Sequence, residues 1–345
     1  MTGEISGENG GVISEPVPFD EFMREALYGV EGFYTRPEGG HAGRRGDFLT
    51  SPEVGPLFGA VIANYLDAEW KRLGEPDRFT VVDAGAGPGT LARSVLAAKP
   101  ACAAVLDYVA VEVSASQRAA HPAEIASRAD MPTEPFTGVI IANELLDNLP
   151  FRLAVYDDGW REAFVLTETS AGGGAARSEV LSAPFDPVPA QLLAVAPFGA
   201  RVPLIEEASA FVAAARALLL GGSMLVIDYG VALTAELAHR PWREWLRTYR
   251  GNQRGDHYLT APGSQDITTD VPFDQLPETD AIRSQAQFLQ RWGIEQLVDE
   301  GKRIWEEQAA RPGLEAMKMR SRVSEAEALL DPAGLGGFLV AEWRA

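Results

Sequence analysis

Three groups of residues in this chain have types and spacings suited to chemistry. The first is a run of glycines behind an acid, Asp83-Ala84-Gly85-Ala86-Gly87-Pro88-Gly89-Thr90. Glycines after a strand let the backbone turn tightly and approach a ligand with no Cβ in the way. The second is Glu112, which ends the next β-branched stretch, Tyr108-Val109-Ala110-Val111. A carboxylate there can accept hydrogen bonds from both hydroxyls of a ribose. The third is Asn143-Glu144-Leu145-Leu146-Asp147, directly after an apolar run. Its acids are suited to binding or deprotonating an acceptor. The nicotinamide fingerprint Gly-x-Gly-x-x-Gly also pairs a glycine turn with a ribose acid, but counted from Gly85 its last glycine falls on Thr90. The spacing is acid-x-Gly-x-Gly-x-Gly, which separates it from that class.

These residues need a scaffold that brings strand ends together, and the chain reads as one. Phe79 to Asp83 is a short strand, followed by the turn Gly85 to Gly89 and a helix from Thr90 to Ala98. Tyr108 to Glu112, Gly138 to Ala142, Ser223 to Asp228 and Phe338 to Glu342 are further strands, continuous in apolar character as expected when both faces are covered. Glu206 to Leu220 is a helix stopped by Gly221-Gly222. Leu153 to Tyr156 and Glu162 to Leu166 read as a hairpin turning at Asp157-Asp158-Gly159. Ahead of all this, Phe19 to Tyr28 and Pro56 to Leu73 are amphipathic helices. Residues 230–280 lose the rhythm and read as an inserted lid. Strands separated by helices imply a parallel, doubly wound α/β sheet, whose ligands bind beyond the carboxyl ends of the strands. The expected organisation is a disordered tail over 1–18, an N-terminal helical segment over 19–75, a ligand-binding core over 76–230, a lid over 231–280 and a C-terminal completion of the core over 281–345.

Composition narrows the class. The chain has 345 residues, 46% hydrophobic and 23% charged, which is ordinary globular usage. Its net charge of −19 argues against a phosphate-backbone binder. Cys102 is the single cysteine, and His41, His121, His239 and His257 are scattered, so no metal site is expected. The N-terminus lacks the basic and apolar regions of a signal peptide, and no apolar run is long enough to span a membrane. The expectation is a cytoplasmic protein.

The acid-x-Gly-x-Gly-x-Gly turn resembles the first motif of class I methyltransferases that use S-adenosyl-L-methionine (SAM). Two further stretches carry a closer resemblance. One runs from Phe22-Met23-Arg24-Glu25-Ala26-Leu27-Tyr28 through Gly32-Phe33-Tyr34 and Gly46-Asp47 to Thr50-Ser51-Pro52-Glu53 and Phe58-Gly59. The other is Ala142-Asn143-Glu144-Leu145-Leu146-Asp147-Asn148-Leu149-Pro150. With Val226 to Gly230, Leu246 to Gly251 and Pro262 to Thr268, they resemble the MidA-like family of SAM-dependent methyltransferases, whose mitochondrial branch includes a protein arginine methyltransferase. The chain departs from that pattern at Val30, where a proline is common, and at Asn252-Gln253-Arg254-Gly255. The second departure leaves the substrate open.

The resemblance implies a Rossmann-like seven-stranded sheet, mostly parallel, with SAM as cofactor and no metal. It places Asp83, Gly85, Ala86, Gly87, Gly89, Thr90, Glu112, Val113 and Asn143 against the cofactor. The catalytic candidates are Glu144, Asp147, Asn143 and Glu53. A guanidinium is protonated and a poor nucleophile, so carboxylates must hold its fork and take its proton. If a helix begins after Asn143, Glu144 and Asp147 share a face of its first turn. Asp47, Asp228 and Tyr229 are secondary candidates. Tyr28, Phe33, Tyr34, Trp242 and Trp245 read as packing, and His257 and Tyr258 as acid–base groups of lower standing. The expected partner is an unidentified protein substrate. A small-molecule acceptor, a homodimer and a non-catalytic SAM-binding assembly factor stay open; nucleic acid and membrane are not expected partners.

Overall fold

The computed structural model describes residues 5–6, 12–36, 50–251, 253–311 and 313–345. It divides into two compact units. Among the described residues, one unit is drawn from 50–146, 212–229 and 278–345, and the other from 5–36, 147–211 and 230–277. Asp47 lies outside the described residues, as do its neighbours from 37 to 49 and Asn252.

The first unit is an α/β layer structure around one sheet. Its strands are β1 (Phe79–Ala84), β2 (Leu106–Val111), β3 (Ala126–Arg128), β4 (Phe136–Asn143), β5 (Leu219–Asp228), β6 (Ala281–Ser284) and β7 (Leu339–Arg344). The spatial order is β6-β7-β5-β4-β1-β2-β3. Strands β5, β4, β1, β2 and β3 run parallel; β7 pairs antiparallel with β5, and β6 pairs antiparallel with β7. The chain winds outward from β1 in both directions, so the order reverses between β1 and β4. Crevices at such reversals, beyond the carboxyl ends, are where open α/β sheets bind ligands.

Local sequence explains these elements. β1 is buried at every position and β4 from Gly138 onward, which is why they read as unbroken apolar runs. Helix α1 (Pro56–Arg72) starts with proline in its first turn and ends on Lys71 and Arg72, which suit the two ends of its dipole. Its Leu57, Phe58, Val61, Ile62, Tyr65 and Leu66 fall on one stripe and pack over the sheet beside Leu91 and Val95 of helix α2 (Thr90–Ala98). Phe79, Val81, Tyr108, Val139, Ile141, Leu225 and Ile227 provide the sheet's side of that core. Burying one such side chain contributes about 1.5–3 kcal/mol.

The second unit is built differently. Arg152–Tyr156 and Trp160–Thr169 form the expected hairpin, and Ala175–Pro184 adds an antiparallel strand to its second arm. Val12–Ile13 and Val17–Pro18, expected within a disordered tail, pair antiparallel with Trp160–Thr169. Leu246–Arg250 pairs with Gln253–Arg254 and Asp266–Thr269, so the segment read as a lid carries a small sheet.

Candidate functional site

The glycine turn leaves the carboxyl end of β1 as expected. Gly85, Gly87 and Gly89 have φ of +73°, +54° and +80°, in the left-handed region where a side chain is strained. The turn is tied to its neighbours through backbone atoms: Gly85 and Ala86 N–H both donate to the Val111 carbonyl at 2.9 and 3.0 Å. Gly89 then caps helix α2, placing Thr90 at its first turn.

Glu112 follows the end of β2 and is nearly buried. Its Oε2 accepts from Gly87 N–H at 3.0 Å and its Oε1 from Ser114 N–H at 2.8 Å. A carboxylate offers about four lone-pair positions, so two acceptor positions remain for hydroxyl donors. Val113, the next residue, is 55% exposed.

Asp83 sits beneath the turn and accepts from the Tyr108 hydroxyl at 2.9 Å. Burial pushes its carboxyl up to about 7; the Tyr108 bond opposes the shift and the Glu112 charge adds to it. An aspartate held above its unfolded value of about 3.9 binds its proton more tightly when folded. Its stabilising contribution is therefore complete below about pH 4 and is lost as pH rises toward 7. In urea unfolding, the stability of the wild type relative to Asp83→Asn should fall by on the order of 2 kcal/mol between pH 5 and pH 8. Parallel curves for the two proteins would rule this out.

The carboxyl end of β4 holds Asn143 and Glu144. Glu144 has φ +52°, uncommon for a residue with a side chain and a kind of strain that clusters at functional sites. Its N–H donates to the Ile227 carbonyl at 2.7 Å. Its Oε1 accepts from the Ser51 N–H at 2.9 Å and from Asn143 Nδ2 at 3.1 Å. Asn143 is buried, and its Oδ1 has no hydrogen-bond partner among the described residues. The short helix Ser51–Val54 also carries Glu53, whose Oε1 accepts from the Thr90 hydroxyl at 2.5 Å. This one helix thus links the end of β4, through Ser51, to the start of α2, through Glu53. The Ser51 hydroxyl is bonded in turn to Gln285 at 3.0 Å.

The expected shared helix face of Glu144 and Asp147 is corrected. No right-handed helix can begin at Glu144, because its backbone is left-handed. Only a 3₁₀ turn, Leu146–Asn148, follows. Leu146 N–H is pinned by Asp228 Oδ2 at 3.0 Å, which assigns Asp228 a backbone-clamping role that spacing did not reveal. The division between the two units falls after Leu146. Asp147 is buried in the second unit, where Thr268 Oγ1 donates to its Oδ2 at 2.6 Å.

Near it, Asp266 accepts from the Tyr34 hydroxyl and from Asn148 Nδ2, each at 3.0 Å. Burial, with the charge of Asp147, pushes Asp266 up to about 7. Tyr28 and Tyr34 are stacked, 5.6 Å between centroids, and so pack as expected while also bonding through their hydroxyls. Trp245 is buried, and Trp242 is flanked by the guanidinium groups of Arg201 and Arg243 at 4.9 and 5.0 Å. Tyr258 donates to Glu179 at 2.6 Å, and burial lowers the pKa of His257.

Comparison with known proteins places this arrangement. A family described as putative S-adenosyl-L-methionine-dependent methyltransferase matches residues 61–290. A mitochondrial protein arginine methyltransferase of Drosophila melanogaster is 29% identical over 303 residues, 75% of this chain and 65% of that protein. The corresponding human protein, also named mitochondrial, is 26% identical over 76% of this chain and 65% of its own length. The chain thus spans just under two thirds of the length of these curated relatives. A likely methyl transferase from Burkholderia thailandensis, solved with S-adenosyl-homocysteine, aligns over 96% of this chain and 88% of its own, with a TM-score of 0.79 and 26% identity. The seven-stranded, mostly parallel sheet is that of the class I methyltransferases. The expected cytoplasmic location is overturned by these relatives, which are named as mitochondrial proteins.

Proposed function

We propose, from the fact that this chain belongs to the family of putative S-adenosyl-L-methionine-dependent methyltransferases, that it transfers a methyl group to arginine in a protein substrate. One observation carries the reading: three left-handed glycines at the end of β1 turn directly against the Glu112 carboxylate at the end of β2. The residues fit the cofactor. Gly85, Ala86, Gly87, Gly89 and Thr90 would hold its methionine end over Asp83, the two remaining acceptor positions of Glu112 its ribose hydroxyls, and exposed Val113 its adenine.

The cofactor, when bound, supplies a methyl group on a sulfonium. The chain's own residues do the rest. Glu144, held by Ser51 N–H and by Asn143, accepts the proton that the acceptor nitrogen releases. That step is needed because a guanidinium is a very weak acid and does not give up its proton to water at neutral pH. Glu53 fixes the start of α2 through Thr90, and Asn143 orients Glu144. Asp147, bonded to Thr268 in the second unit, is not assigned the proton. Arginine as acceptor is supported by the names of the relatives, 26–29% identical.

The test incubates the purified chain with tritiated-methyl SAM and a protein extract. Label should stay with protein and, after acid hydrolysis, run with methylarginine. Label confined to the low-mass fraction would refute the protein-arginine reading.

A further inference from the structure

His121 belongs to none of the motifs above, yet its ring meets the glycine turn. Its Nε2 lies 2.8 Å from the Gly87 carbonyl oxygen, and its Nδ1 lies 2.8 Å from the Ser127 hydroxyl. A carbonyl oxygen only accepts, so Nε2 carries the hydrogen. In the neutral ring Nδ1 then accepts from Ser127, which sits in the middle of β3. The imidazole is therefore anchored on the sheet and reaches up to the turn.

The peptide groups of Gly87 are gripped from both ends. Its N–H donates to Glu112, and its carbonyl accepts from His121. Arg93 adds a strap, donating from Nη2 to the Pro88 carbonyl at 2.7 Å and from Nη1 to the Ala120 carbonyl at 2.8 Å. The ring is also packed close: a Cβ placed on Gly89 would lie 3.2 Å from His121 Cδ2. The two grips differ in one respect. Glu112 has hydroxyls to serve once a ribose arrives, and its bond to Gly87 then shares the carboxylate. The His121 bond is on the carbonyl side and shares nothing.

We propose that His121 is a positioning residue for the cofactor: its Nε2–H holds the Gly87 carbonyl, so that the turn keeps its left-handed course while the Glu112 carboxylate is shared with the ribose. Three of the five residues from Gly85 to Gly89 are glycine, with only Ala86 and Pro88 between them to stiffen the turn, and an unrestrained glycine loses more freedom on ordering than any other residue. The bond from His121 removes that freedom beforehand, which raises affinity without adding a contact to the ligand. The inference rests on the cofactor reading given above.

The experiment titrates SAM by calorimetry into the full chain and three variants. His121→Gln keeps an amide N–H near the place of Nε2 and should bind within threefold of the wild type. His121→Asn ends near the place of Nδ1 and falls short of Gly87; its Kd should rise about tenfold, the loss of one well-made hydrogen bond. In turnover assays the KM for SAM should rise by a similar factor while kcat falls less than twofold. Exchange of the Gly87 and Gly89 amides, measured without cofactor, should quicken in His121→Asn and not in His121→Gln. Ser127→Ala leaves the ring's volume in place and should weaken binding about threefold; it reads the same bond should His121→Asn fail to fold. Equal affinity across the wild type and all variants overturns the inference alone, as does an equal loss in His121→Gln and His121→Asn. A wild type that takes up no SAM overturns the cofactor reading together with it.

Discussion

Replacing Glu112 with alanine is expected to weaken SAM binding by about 10²–10⁴-fold. The carboxylate is nearly buried, and two of its acceptor positions already serve Gly87 and Ser114. The other two would take the ribose hydroxyls. Each hydrogen bond to a charged acceptor contributes about 1.5–3 kcal/mol, so two together give about 3–6 kcal/mol. Every 1.4 kcal/mol is a factor of ten in Kd. The substitution also frees the Gly87 N–H, which loosens the turn and acts in the same direction. Titration calorimetry on Glu112→Ala checks this, with circular dichroism to confirm the fold. A Kd within threefold of the wild type would remove Glu112 from the cofactor site and leave the glycine turn as an ordinary structural bend.

The second large effect is expected on the rate. Glu144→Gln should lower kcat by about 10²–10⁴-fold, the range for losing a positioned proton acceptor. Its Kd for SAM should stay within a few-fold of the wild type, because Glu112 and the glycine turn are untouched. Glutamine keeps the length of the side chain and an oxygen that can accept from Ser51 N–H, so the strained backbone at φ +52° keeps its support. Loss of rate with intact binding is the signature of an interaction used in the reaction step itself. Single-turnover assays with saturating SAM separate the two quantities. An unchanged kcat would take Glu144 out of the mechanism and make its strain a matter of chain geometry alone.

Much of the proposed cofactor half of the site was legible because it is local. Asp83, the three glycines and Thr90 lie within one strand–turn–helix unit, and each residue type matches a backbone need nearby: burial along β1, left-handed φ in the turn, a helix start after Gly89. Glu112 was legible for the same reason, as the residue that closes the next parallel strand. The acidic half was less so. Asn143-Glu144-Leu145-Leu146-Asp147 has the spacing of a helix start, and the spacing misled. Glu144 is drawn into a left-handed turn by Ile227, and Leu146 is caught by Asp228, both distant in sequence on β5. The pairing of residues 12–18 with Trp160–Thr169 was hidden for the same cause.

By itself, then, the order of amino acids determined the parallel sheet and the glycine turn proposed to hold the cofactor. Burial patterns and turn chemistry act over a few residues and need no partner far away. Only the tertiary structure decided which unit Asp147 belongs to, that a four-residue helix at Ser51 holds Glu144, and that His121 grips Gly87. Those are contacts between segments far apart in the chain or across a loop, and a hydrogen bond made at 3 Å leaves no periodicity to read.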